Sequence, residues 1–265
     1  MHASALTIVV LLLAVPYAGG LVQAQGEPIT LTIIYDNYAY VDGMETDWGF
    51  AALIETGDET ILFDTGTRGD MFMRNFRALG KDPADIDALV FSHDHGDHTG
   101  GMEALFETGA RPPTYLLGAF NERVKNQVAA MTTAIETQPG DDVLAGIVTT
   151  GQVGEDIPEQ ALIIPTAEGL VVLTGCAHPG VVAMLDRARE LNDEPVHLVL
   201  GGFHLSGADA SHIASTVATV RSMGVQKVGA THCTGDAAIE AFASEFGEDF
   251  VRVGVGRVLT FTRVR

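Results

Sequence analysis

The run Ser92-His93-Asp94-His95-Gly96-Asp97-His98-Thr99-Gly100-Gly101 packs three imidazoles and two carboxylates into six residues, His93 to His98. It follows the apolar stretch Ala88-Leu89-Val90-Phe91, which reads as a short strand. Alternate side chains of an extended chain share a face, so His93 and His95 aim to one side. Asp97 and His98 fall in the turn that follows and can face a second point nearby. Neutral imidazole and carboxylate are the usual ligands of zinc, manganese and iron. A polar surface turn is the plainer reading, but it leaves so many ligands in one glycine-containing turn unexplained. The stretch reads as a two-metal site.

Three more clusters stand where apolar runs end: Cys176-Ala177-His178, Phe203-His204 and His232-Cys233. Ligands converge at the carboxyl ends of strands along one sheet edge. Six of the nine histidines lie in these turns, whereas His2 belongs to the leader and His197 and His212 read as structural. The only cysteines, Cys176 and Cys233, each lie within two residues of a histidine. They can be site residues or, in an oxidising compartment, a disulfide, and spacing leaves both open. Helix amino ends expected at Thr99-Gly100 and Thr234-Gly235 offer backbone N–H groups to an anionic substrate group. Ordinary helix capping is the alternative there.

The elements that must position these turns are legible in outline. Leu31 to Tyr35, Gly49 to Glu55 and Thr60 to Phe63 read as strands, the last ending in the turn Asp64-Thr65-Gly66. Phe72, Phe76 and Leu79 mark one face of a helix that stops at Gly80. Met102 to Phe106 and Asn121 to Thr133 read as helices, and Thr114 to Leu117 as a strand. Gln138 to Gln160 has no clear period and reads as a lid or a surface excursion. A hairpin then spans Ala161 to Thr174, followed by alternating helices and strands that deliver His178, His204 and His232. Two halves of this kind, with no flexible linker between them, predict an α/β domain of two packed sheets with helices outside.

Composition bounds the function. With 46% apolar residues in 265 the chain can build a large core. A net charge of −20 with only three lysines makes nucleic acid a poor partner. Residues 1–24 carry no Asp, Glu, Lys or Arg, and Val22-Gln23-Ala24 is a small-x-small cleavage signal. This predicts a secretory signal peptide, a mature domain over 25–265 and export to the periplasm or medium. The rival is an uncleaved anchor, since Ala3 to Val22 is just long enough to span a bilayer.

The combination of His93-x-His95-x-Asp97-His98, Asp64-Thr65-Gly66 before it and His232 after it resembles the metallo-β-lactamase superfamily. Thr174-Gly175-Cys176-Ala177-His178, Gly201-Gly202-Phe203-His204-Leu205 and His232-Cys233-Thr234-Gly235 resemble one branch more closely. That branch is named for the archaeal dihydropterin–ribofuranosylaminobenzene phosphate synthase. The resemblance runs from about Leu31 to the end and implies an αββα four-layer sandwich. It further implies that His93 and His95 hold one metal, while Asp97, His98 and His232 hold a second. A histidine usual before the central hairpin is missing here, because none occurs between Thr99 and Gly175. His178 is the substitute ligand, and Cys176 falls where a bridging acid is expected, as a ligand or as a neighbour of ligands. Asp64 orients the histidine loop, and His204 contacts a substrate anion or donates a proton.

Two divalent ions, zinc foremost and iron or manganese as alternatives, lower the pKa of a shared water toward ~7 and clamp an attacked centre. The resulting expectation is an exported hydrolase of a small anionic or ester substrate, cleaving an ester, lactone or phosphodiester. Asp97 orients the water. The nearest branch implies a transferase instead, joining a pterin diphosphate to an aryl amine. A metal- or ligand-binding protein without turnover is the third reading.

Overall fold

The structure is a computed structural model that describes residues 28–264, so the leader expected at 1–24 lies outside the described residues. Six strands lie side by side in chain order: β1 (Pro28–Tyr35), β2 (Ala51–Glu55), β3 (Thr60–Phe63), β4 (Ala88–Val90), β5 (Thr114–Leu116) and β6 (Ala134–Glu136). A second sheet runs, in the reverse of chain order, through β7 (Asp142–Leu144), β8 (Ile147–Thr149), β9 (Leu162–Thr166), β10 (Gly169–Thr174), β11 (Val196–Gly202) and β12 (Lys227–Thr231). β13 (Val258–Thr262) returns to the first sheet and pairs antiparallel with β1. Strands β3 to β6 are parallel to one another, as are β10 to β12. Each parallel set therefore sends its carboxyl ends to one edge.

Alternation along the strands sorts the core into layers. Ile33, Ile54, Ile61 and Val90 of the first sheet meet Leu162, Val171, Leu173 and Leu200 of the second. Their neighbours Ile34, Leu53, Leu62 and Leu89 face the other way, under helices α1 (Gly69–Ala78), α3 (Met102–Glu107) and α4 (Glu122–Met131). The short α2 (Gly96–Thr99) carries part of the histidine run. Ile163, Leu170, Val172 and Val199 face α5 (Val181–Leu191), α6 (Ala210–Ser222) and α7 (Asp236–Phe246). The expected αββα sandwich is what forms. Phe72 and Phe76 are fully buried on the inner face of α1, and truncating either to Ala costs about 3–5 kcal/mol.

Differences from the sequence reading are local. Asn121 is the cap of α4 rather than its first residue, its side chain accepting the Val124 N–H at 3.1 Å. The aperiodic segment 138–160 contains the antiparallel pair β7–β8, turned at Ala145 and Gly146, both at positive φ. Strands of three residues are too short for a period of two to stand out. No helix among the described residues is long and apolar enough to cross a membrane.

Candidate metal centre

Every candidate side chain hangs from the carboxyl end of a strand. Asp64 follows β3, the His93–His98 run follows β4, Cys176–His178 follows β10, His204 follows β11 and His232 follows β12. Among the described residues, four of the five non-glycine residues at positive φ lie here: Asp64, Ala177, His204 and His232. Such backbone costs of order 1–3 kcal/mol per residue and persists where its surroundings over-determine it. Gly175 lets the two sheets close at this edge, because a Cβ there would overlap the Ser92 hydroxyl.

One half of the centre is formed by His93, His95 and His178. The rings of His93 and His95 lie 4.7 Å apart between centroids, His93 and His178 4.6 Å, and His95 and His178 4.8 Å. Ser92 donates its hydroxyl hydrogen to Asp64 Oδ2 at 2.7 Å, so its oxygen is left to accept from His93 Nδ1 at 2.9 Å. That fixes the tautomer with a bare lone pair on His93 Nε2. This nitrogen is buried and has no hydrogen-bond partner. Burial, with the neighbouring His98, holds the His93 ring neutral, its pKa lowered to about 3.

His178 is held by Glu159, a fully buried carboxylate that precedes β9. Glu159 Oε2 accepts the backbone N–H of His178 at 2.9 Å and its Nδ1–H at 3.0 Å, turning Nε2 inward. Oε1 accepts the N–H groups of Cys176 at 2.7 Å and Ala177 at 2.8 Å. Burial pushes Glu159 up, yet His93 and these bonds outweigh it and hold the carboxylate well below its usual range. The sequence reading missed Glu159. An acid in an aperiodic stretch, 17 residues from Cys176, carries no local signal.

The other half is formed by Asp97, His98 and His232, and Cys176 Sγ belongs to both. His98 Nδ1 lies 2.7 Å from Asp64 Oδ2, one proton between them. Burial raises Asp64 to about 8 against the pull of His93 and Ser92, and burial together with His232 lowers His98 to about 4. His232 Nδ1 donates to Asn37 Oδ1 at 3.0 Å. The opposite nitrogens converge: His98 Nε2 and His232 Nε2 lie 3.7 and 3.4 Å from Asp97 Oδ2, and 3.2 and 3.3 Å from Cys176 Sγ. Burial raises the Asp97 carboxyl, but His232 and His98 more than offset it and hold it low. Burial pushes the Cys176 thiol up.

These donors fit divalent cations. Each half offers imidazole nitrogens whose far side is already fixed by an acceptor, the usual arrangement around a metal-binding histidine. Cys176 and Cys233 are both free thiols. His204 is exposed at the mouth, its ring 4.3 Å from that of His178, and a bond with Cys233 raises its pKa. Three cavities of about 380, 580 and 210 Å³ surround this mouth, and His178, His204 and His95 line them. His212 lines one of these cavities, while His197 pairs with Gln226 away from the site.

Thr99–Gly100 and Thr234–Gly235 are the two helix starts expected to offer N–H groups to an anion. Thr234 is fully buried, and its hydroxyl accepts the Phe203 N–H at 3.0 Å, so it braces the His204 loop. Gly235 caps α7 at a φ of 77°. Thr99 ends α2, and the N–H groups of Gly100 and Gly101 are taken by the carbonyls of Gly96 and Gly66.

The family model of the metallo-beta-lactamase superfamily matches residues 49–183. The 7,8-dihydropterin-6-methyl-4-(beta-D-ribofuranosyl)-aminobenzene-5'-phosphate synthase of Methanocaldococcus jannaschii is 28% identical over 87% of this chain and 95% of its own. Among solved structures, Tm1679, described as a metal-dependent hydrolase of the beta-lactamase superfamily, is similar at a TM-score of 0.73 and 27% identity, covering 87% of this chain and 98% of its own. YhfI of Bacillus subtilis shares the fold at a TM-score of 0.65 and 17% identity, over 88% of this chain and 99% of its own.

Proposed function

Because the chain belongs to the metallo-β-lactamase superfamily, we propose that it is an exported, two-metal hydrolase of an uncharged ester or lactone. The observation that carries this reading is the convergence of Asp97, His98 and His232 on one side of Cys176 and of His93 and His178 on the other, with the His95 ring beside the second group and His93 Nε2 buried and unpartnered in it. His93, His95 and His178 would hold one cation, and Asp97, His98 and His232 the other, with the Cys176 thiol beside both sets. When bound, two divalent ions acidify water to a pKa near ~7 and polarise the attacked carbonyl. Zinc suits this mixed nitrogen, oxygen and sulfur donor set.

The chain's own residues supply the rest. Asp97 accepts a hydrogen bond from the attacking water and orients it toward the carbonyl carbon. His204, at the mouth beside His178, gives a proton to the leaving alcohol as the C–O bond breaks. Glu159 and Asp64 hold the histidine rings in place.

The charge of the mouth favours an uncharged substrate. No lysine or arginine lines the three cavities there, whereas Asp94, Glu155, Asp156 and Asp186 do. A diphosphate would meet these carboxylates with no lysine or arginine to assist the two cations, whereas a neutral ester meets no such repulsion. The likeness to the archaeal synthase favours the second reading, a transfer between a pterin diphosphate and an aryl amine. Purified protein assayed for metal, then screened on aryl esters, lactones, phosphodiesters and a pterin diphosphate with an amine, separates the two. Chelator-sensitive turnover of neutral esters supports hydrolysis. Pyrophosphate release with the amine, and none with esters, overturns it. Full metal loading with no turnover at all leaves a binding protein.

A further inference from the structure

Trp48 is the chain's single tryptophan and lies in the loop between β1 and β2, which contributes no expected ligand. Its indole Nε1–H donates to Asp97 Oδ2 at 2.8 Å. This is the same oxygen that faces His98 and His232. The indole ring also packs on His232, centroids 5.1 Å apart. Yet the residue is 49% exposed, so core burial does not account for its place.

The loop is pinned to the centre around it. Phe50 N–H bonds the Asp97 carbonyl at 3.2 Å, and Gly49 N–H bonds Asn37 Oδ1 at 3.2 Å, the oxygen that also holds His232. The Trp48 carbonyl accepts from the Thr67 hydroxyl, and its N–H donates to Asp47 Oδ1 at 2.8 Å. Gly49 is required: at a φ of 143°, a Cβ would stand 2.7 Å from the Asp97 carbonyl oxygen. An aspartate carboxylate has only a broad, two-fold torsional preference about its last bond. Something outside the residue must choose which oxygen points inward, and the indole N–H is placed to do so.

We propose that Trp48 is a positioning residue for the Asp97 half of the centre, locking the carboxylate with its N–H and bracing His232 with its ring. The inference rests on the two-cation reading above and adds to it a residue that touches neither cation. Partners of ligands typically change metal affinity about 10–100-fold when removed.

The test is calorimetric titration of the metal-free full chain with zinc, for wild type, Trp48→Phe, Trp48→Ala and Trp48→His. Asp97→Asn identifies which equivalent belongs to this half. Trp48→Phe, which keeps a ring without the donor, is expected to weaken that equivalent about 10-fold or more and leave the other within about twofold. Trp48→Ala is expected to weaken it further, and Trp48→His, which keeps a ring N–H, to recover part of the loss. In wild type, the emission of the lone indole is expected to fall as cobalt(II) fills the Asp97 half. Both equivalents unchanged in Trp48→Phe overturn the positioning role while leaving the centre intact. No zinc bound by wild type overturns the centre and the inference together. Should the variants fail to fold, wild-type emission decides: a response confined to the other equivalent overturns the role.

Discussion

The two halves of the centre are built on opposite principles. In the His93–His95–His178 half, His93 Nε2 is buried with nothing to bond, and one buried carboxylate, Glu159, braces His178 and its loop. In the Asp97–His98–His232 half, the inward groups already face one another, and three separate partners, Asp64, Asn37 and Trp48, brace them. An unsatisfied buried nitrogen gains most from a cation, because nothing has to be displaced. A self-satisfied cluster must give up the Asp97–His232 contact first. The first half should therefore bind its cation more tightly, and the second should be the tunable one.

The harshest way to break this contrast is through Glu159. Glu159→Ala strands three backbone N–H groups and the His178 ring together, and each buried donor left unpaired costs about 1–3 kcal/mol. Chemical denaturation of the metal-free chain should show that loss, along with loss of the tighter zinc equivalent. Loss of the weaker equivalent instead would reverse the assignment. Asp64→Asn is milder. It should weaken the Asp97-half equivalent by about 10–100-fold in the same titration, and His93 only secondarily through Ser92.

The contrast also tracks what the sequence could reveal. Ligands crowded into one turn, His93 to His98, declare themselves because their spacing alone implies chemistry. His178 and His232 needed the alternation of strands and helices to bring them to the same edge. The αββα layering was legible for the same reason, since β1, β2, β9, β10 and β11 alternate or run apolar over their length. Glu159, Asn37 and Trp48 were not legible, because they sit in loops and act on partners 17 to 195 residues away. The setting of Thr234 was hidden in the same way, because neither its burial nor the bond its hydroxyl accepts from Phe203 leaves a local signal.

Two smaller effects sharpen the picture. Burial raises Asp36, behind His232, from 3.8 to about 6 despite its bond from Thr231. The folded state then binds a proton that the unfolded chain has already released, so this group's contribution to stability falls as pH rises from about 4 to about 6. Asp36→Asn should flatten the fall across that window in pH-dependent melts of metal-free protein. A steeper fall would contradict the sign. The least effect is expected from Cys176→Ser. Because its sulfur lies beside both halves, both zinc equivalents should weaken together and modestly, and loss of only one would assign the thiol to that half.

The most direct measurement is anomalous scattering at the zinc edge from crystals grown with zinc. The account predicts two peaks, one bounded by His93, His95 and His178, and the other by Asp97, His98 and His232. A single peak, or zinc found away from these six side chains, would contradict it.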